Sequence, residues 1–195
     1  MSTDKNIKLN LGCYDKHLPG FINVDIREEC NPDVVDDAFT LKTFKENSVD
    51  LIYCSHMLEH LGKEDSLKAL NRWFKLLKPR GILRLAVPDI EAVCKRYIYN
   101  GDLRELSALL YGSQRHPFDF HYNGWDFKTL KEDLLNTGFD EVSRWNWWEV
   151  DHGYCDDFSQ AYIPARDRDI KLSHNRLEKG NGILVSLNVE AKKTA

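Results

Sequence analysis

The sequence predicts an α/β fold built on a mainly parallel sheet. Three observations carry that expectation. Segments of strand character alternate with segments of helical spacing along most of the chain. Two strand segments, 49–54 and 81–87, are almost continuously apolar, as strands covered on both faces are. Glycine and proline punctuate the ends of these segments, at Gly12, Pro79, Gly81, Pro88 and Gly138.

The elements follow in order. Residues 7–11 alternate apolar and polar and then meet Gly12, a strand ending in a turn. A second strand over 21–25 ends in Asp25, and a short third over 33–37 ends in Asp37. The fourth, 49–54, runs into Ser55 and His56. Leu67, Leu70, Phe74 and Leu77 recur at helical spacing over 64–77, and Pro79-Arg80-Gly81 stops that helix. The basic residues Lys75, Lys78 and Arg80 suit a helix C-terminus, whose dipole favours cations. A fifth strand over 81–87 is cut off by Pro88. Helices are expected over 90–99, 102–110 and 126–137, with a loop rich in Gly, His, Pro and aromatics over 111–123. Two last strands are expected at 142–148 and 183–189, a long irregular polar stretch at 151–181, and a frayed tail at 192–195. Only residues 13–20 join the first two strands. Parallel neighbours normally need a crossover of a dozen or more residues, so at most one helical turn fits there.

The 195 residues suit a single domain spanning 1–195. Apolar residues make up 42% and charged residues 30%, an ordinary globular balance. A net charge of −4 argues against a general nucleic-acid binder. The five cysteines contain no C-x-x-C pair, so neither a disulfide framework nor a zinc site is expected. A signal peptide and a membrane helix are not expected either, and a reducing cytoplasm is the simplest home.

In a parallel α/β sheet, ligands sit beyond the carboxyl ends of the strands. The residues there are chemically apt. Gly12 ends the first strand and lets backbone approach a ligand, although glycines end strands everywhere. Asp25, thirteen positions later, offers a carboxylate to a ribose diol, the logic dinucleotide-binding folds apply about 20 residues on. Asp37 followed by Ala38 offers an acceptor and a backbone N–H to an adenine edge. Ser55 and His56 line the same crevice.

The stretches Leu9-Asn10-Leu11-Gly12-Cys13, Gly20 to Asp25, Asp37-Ala38 and Asp50 to His60 resemble the class I S-adenosylmethionine (SAM)-dependent methyltransferases. Among them the chain is most similar to a branch of small predicted methyltransferases with the signature H-x-L-E-H-L, here His56-Met57-Leu58-Glu59-His60-Leu61. Leu77 to Asp89 resembles the family's L-K-P-G-G-x-L turn, and 111–114, 120–125, 156–159 and 187–189 extend the likeness over nearly the whole chain. The resemblance implies a Rossmann-like seven-stranded sheet whose last strand runs antiparallel. It implies that Asn10, Gly12 and Cys13 face the methionine part of SAM. Asp25 would hold the ribose, Asp37 and Ala38 the adenine, and Ser55 and His56 the sulfonium side. Tyr14 departs from the family, which has glycine there, and either crowds the cofactor or walls it.

Methyl transfer to an alcohol calls for positioning and a general base, and histidine suits neutral pH. His121, on the loop expected over the pocket mouth, ranks first and His56 second, although His121 could simply bond a neighbouring carbonyl. His152 is a weaker candidate. Asp156 and Asp157 could hold sugar hydroxyls or form a solvated loop. His56 and His60 are four apart, but no third ligand is evident and no metal is expected. Trp145, Trp147 and Trp148 suit a half-buried strand or an interface better than a sugar platform. The expected reaction is O-methylation of a saccharide or another small polar metabolite, in surface-polysaccharide synthesis by the resemblance. Acceptor-side loops are expected at 111–125 and 151–181, no nucleic acid or membrane as partner, and a monomer or homodimer. The alternative is a binding or scaffold protein of the same fold without turnover. Another nucleotide-using enzyme ranks last, since G-x-G-x-x-G and a P-loop are both missing.

Overall fold

The computed structural model describes residues 6–164 and 182–194. Its strands are β1 (Lys8–Leu11), β2 (Ile22–Asp25), β3 (Val34–Val35), β4 (Val49–Ser55), β5 (Leu77–Pro88), β6 (Asp140–Arg144), β7 (Tyr162–Pro164), β8 (Gly182–Leu184) and β9 (Ser186–Lys192). Its α-helices are α1 (Lys63–Leu76), α2 (Ile90–Asn100), α3 (Leu103–Tyr111) and α4 (Phe127–Thr137). Seven strands form one sheet in the order β3-β2-β1-β4-β5-β9-β6, and β7 and β8 form a separate antiparallel pair. The first five sheet strands pair in parallel, and β9 runs antiparallel to both β5 and β6.

β1 and β2 are adjacent and parallel with no α-helix between them, as the short connection requires. Two buried asparagines hold that connection instead. Asn10 Nδ2 donates to Lys16 O and to Asn23 Oδ1, and Asn23 Oδ1 also accepts the Leu18 N–H. Backbone groups that a helix would have satisfied thus find side-chain partners.

α1 turns one stripe inward, with Ser66, Ala69, Leu70, Trp73 and Leu76 buried against the sheet. The caps follow the sequence. Asp89 accepts from the N–H groups of Glu91 and Ala92, Asp126 forms a capping box with Thr129, and Gly138 closes α4 at φ 111°.

Four expectations are corrected. The first helix ends at Leu76, and Leu77 already pairs with Val49, so Pro79 lies inside β5 rather than after a helix. The expected strand 142–148 stops at Arg144. Trp145 donates its indole N–H to Leu85 O, and Trp147 starts a single-turn helix with its ring buried, while Trp148 stays 54% exposed. The expected strand 183–189 is two strands broken at Val185, whose N–H donates to Ala161 O. The expected tail is anchored: Lys192 closes β9, and the buried Lys193 ammonium donates to Phe74 O, Leu77 O and Asn47 Oδ1. Those carbonyls end α1, where a cation is favoured. Part of the expected irregular stretch 151–181 lies outside the described residues.

Candidate functional site

A cavity of about 790 Å³ opens beyond the carboxyl ends of β1, β2 and β4. Asn10, Gly12, Cys13, Asp25, Asp37, Ala38, Ser55, His56 and His121 all line it, although they are scattered along the chain. Loop residues from 113–122 and 157–161 complete the wall.

Gly12 sits at φ 64°, and a Cβ there would lie 2.6 Å from Met57 Cγ, so the turn after β1 has no room for a side chain. Tyr14, also left-handed at φ 44°, sends its ring outward, 54% exposed, with the Arg27 guanidinium 4.9 Å over it. The tyrosine therefore forms part of the rim. Asp25 is buried and holds the two flanking segments together: one oxygen accepts the Tyr14 N–H at 2.9 Å and the other the Arg27 N–H at 2.9 Å. Cys13 is buried beside Asp25; desolvation first, and then that carboxylate, push its thiol up to about 12.

The segment 37–44 is fastened from below by α1. Asp37 Oδ1 accepts the Phe39 N–H, Trp73 donates its indole N–H to Ala38 O at 2.7 Å, and Arg72 donates to Thr40 O, Leu41 O and Phe44 O.

Ser55 donates to Asp157 O at 2.7 Å. Asp157 lines the cavity, and one of its carboxylate oxygens accepts from Tyr53 Oη at 2.6 Å. Past Ser55 the chain turns sharply at His56, φ 47°, whose N–H donates to Ala86 O. That turn points the His56 ring at Glu59, with Nδ1 3.4 Å from Oε1. His121 Nε2 stands 3.9 Å from the same oxygen, and its Nδ1 lies 3.0 Å from Leu109 O, a bond to a neighbouring carbonyl. His60 packs edge-on against His121 and brings Nδ1 to 3.1 Å from Phe120 O.

Sequence reasoning missed Glu59. It is fully buried, and neither carboxylate oxygen makes a hydrogen bond among the described residues. Burial alone would push its carboxyl up. The contact with His56 and the charges of His56, His60 and His121, when cationic, outweigh this and hold it below its ordinary value. Burial lowers His121, and Glu59 only partly offsets that. The Glu59 carbonyl also accepts the Tyr122 and Asn123 N–H groups, which ties the aromatic loop to the end of β4.

His152 does not belong to the site. It is buried on the Tyr53–Trp145 side of the sheet, where Arg84 Nη1 stands 3.0 Å from its Nε2. Burial and then the Arg84 charge lower it from 6.5 to about 4. The unfolded chain therefore takes up a proton that the folded chain refuses. This contribution to stability is intact above pH 6.5 and is lost as pH falls from there toward about 4. Its full size is about 3 kcal/mol. Urea unfolding of the wild type and His152→Phe across that window checks this: the variant should lose less stability on acidification, and parallel curves would refute the assignment.

Residues 19–85 match a family model described as a methyltransferase domain. A SAM-dependent methyltransferase of Archaeoglobus fulgidus superposes with a TM-score of 0.58 at 18% identity, covering 96% of this chain and 86% of that one. The chain has the class I SAM-dependent methyltransferase fold. A second SAM-dependent methyltransferase, from Methanosarcina mazei, gives a TM-score of 0.58 at 17% identity over 97% of this chain and 93% of that one. A putative methyltransferase of Haloferax volcanii, solved with the Trm112 methyltransferase activator, gives 0.60 at 15% identity over 98% and 84%. By sequence, an uncharacterized protein of Methanocaldococcus jannaschii is 39% identical over 57 residues, which are 29% of this chain and 24% of that protein's length. The match over residues 19–85 is to a methyltransferase domain, and the fold is the one these SAM-dependent methyltransferases share. No helix among the described residues is long and apolar enough to cross a membrane.

Proposed function

We propose that the protein transfers the methyl group of SAM to a hydroxyl of a saccharide or another small polar acceptor. The observation that carries this reading is the meeting in one cavity of the strand-end residues Gly12, Asp25, Asp37, Ala38 and Ser55 with the His56–Glu59–His60–His121 cluster.

The cavity residues fit the cofactor chemically. Asn10, Gly12 and Cys13 flank the methionine end, where the missing Cβ of Gly12 leaves backbone exposed. Asp25 takes the ribose hydroxyls through lone pairs not used by its two backbone bonds. Asp37 and Ala38 take the adenine edge, and Ser55 and His56 border the sulfonium. Bound SAM supplies an electrophilic methyl that an acceptor oxygen takes with loss of its proton, the carbon–sulfur electron pair remaining on sulfur as S-adenosylhomocysteine forms.

His121, and His56 after it, are the side chains proposed to activate the acceptor. In the direct form of the reaction the neutral His121 imidazole receives the hydroxyl proton, and buried Glu59 favours the imidazolium so formed. The rim favours a polar ring as acceptor. Phe118, Tyr122 and Phe158 line the cavity with exposed aromatic surface, and Asp65, Asp119 and Arg115 stand among them as hydroxyl partners. The five free cysteines support a reducing, cytoplasmic setting.

Calorimetric titration with SAM and S-adenosylhomocysteine tests the reading. Both are expected to bind the wild type. Gly12→Ala, whose Cβ would strike Met57, is expected to weaken both at least about 10-fold, a cost of about 1.4 kcal/mol. Binding of neither ligand to the wild type would refute the proposal.

A further inference from the structure

We infer that Glu59, His60 and His121 form a binding site for a divalent transition-metal cation, with His56 beside them. The inference rests on the methyl-transfer reading only for what meets the cation, not for the site itself.

Each of the three offers one ligand-type atom, and these atoms lie within 4.8 Å of one another. Proximity alone would be a weak argument. The hydrogen-bond directions make it stronger. A carbonyl brings no hydrogen, so Nδ1 of His60 must supply the one shared with Phe120 O, and Nδ1 of His121 the one shared with Leu109 O. His56 is fixed less directly. Asn188 Nδ2 donates to Ser159 O, so its Oδ1 accepts the Ser186 hydroxyl hydrogen, and the Ser186 oxygen is left to accept from His56 Nε2. In the neutral imidazoles the opposite nitrogens then carry lone pairs: Nε2 of His60, Nε2 of His121 and Nδ1 of His56.

Two of these lone pairs face Glu59 Oε1, from His56 at 3.4 Å and from His121 at 3.9 Å. Glu59 is fully buried with neither oxygen hydrogen-bonded. Lone pairs directed at a buried carboxylate repel it, and a cation among them turns repulsion into ligation. Histidines that give Nδ1–H to a backbone carbonyl and present Nε2 have the outer-shell geometry of metal ligands. Two imidazoles and a carboxylate suit Zn²⁺, Fe²⁺ or Co²⁺ better than Mg²⁺ or Ca²⁺.

All three residues line the cavity, so a cation held by them would stand beside the space assigned to the acceptor. A hydroxyl oxygen reaching that cation would be polarised and would release its proton to water more readily. In the metal-loaded protein His121 is then a ligand, and the cation takes over the activation that direct proton transfer would otherwise provide. The cation would also clamp the aromatic loop, which carries His121, to the turn after β4, which carries Glu59 and His60.

The test uses the full chain stripped of metal, dialysed against Zn²⁺ and, separately, Co²⁺. One equivalent of each should be retained, with visible d–d absorption from the cobalt form. Glu59→Gln, nearly isosteric, and His121→Ala should each weaken retention at least about 100-fold. His17→Ala, at an exposed histidine outside the cluster, should not. The inference is overturned if the wild type retains neither ion, which would leave protons as the cations of the cluster. It is equally overturned if both cluster variants retain metal like the wild type. Metal content is read without SAM or acceptor. Failure here leaves the methyl-transfer reading standing, and failure of SAM binding leaves the metal result standing.

Discussion

Trp73→Ala is expected to lower the unfolding free energy by about 3–5 kcal/mol and to weaken SAM binding in the same protein. The first effect follows from burial. Trp73 is fully buried on the inner stripe of α1, within the main apolar cluster, and its removal leaves a cavity that rigid strands cannot fill. The second effect follows from its indole N–H, which holds Ala38 O at 2.7 Å. Ala38 lies on the cavity wall beside Asp37, so the core tryptophan also fixes the height of the proposed adenine-binding segment. Trp73→Phe separates the two effects, because it keeps most of the apolar contact and loses the hydrogen bond. Urea unfolding and calorimetry on both variants give the readout. Destabilisation with an unchanged SAM affinity would mean that residues 37–44 hold their shape without the indole.

Asp25→Ala is expected to cost about 1–3 kcal/mol of SAM binding, roughly 5- to 150-fold in affinity. The residue has two jobs. It is placed to accept the ribose hydroxyls, and it already ties the Tyr14 and Arg27 N–H groups to opposite oxygens of one carboxylate. Alanine removes both, so the turn after β1 and the segment after β2 lose their common anchor. Asp25→Asn should fall between the two, since it keeps one acceptor oxygen. Affinities measured side by side by calorimetry decide the matter, and an unaltered value for the alanine variant would move the ribose contact elsewhere.

The sheet was largely legible in the sequence because its signals are local. The alternation before Gly12, the acids ending β2 and the segment after β3, and the apolar run of β4 each depend on neighbours a few residues away. The short first connection was legible for a related reason, since chain length alone forbids a full helix between β1 and β2. What stayed hidden depends on distant partners. Trp145 and Trp147 look like strand aromatics until the core beneath β5 takes them in. Lys193 looks like tail until the end of α1 supplies carbonyls for its ammonium. Glu59 is the clearest case at the site. A charged residue between two histidines reads as solvent-facing, whereas Glu59 is buried where residues 120–123, sixty positions onward, pack against its own turn. The one trace of it in the sequence is the order His56-Met57-Leu58-Glu59-His60, which sets the acid between the two histidines.

The reversed strand β9 has a consequence for how the molecule is made. It fills the slot between β5 and β6, yet it is synthesised after both. Until residues 186–192 are present, the edge of β5 and the single strand β6 lack the partner they share. A chain lacking β9 would expose two unpaired backbone edges, open to pairing with another copy.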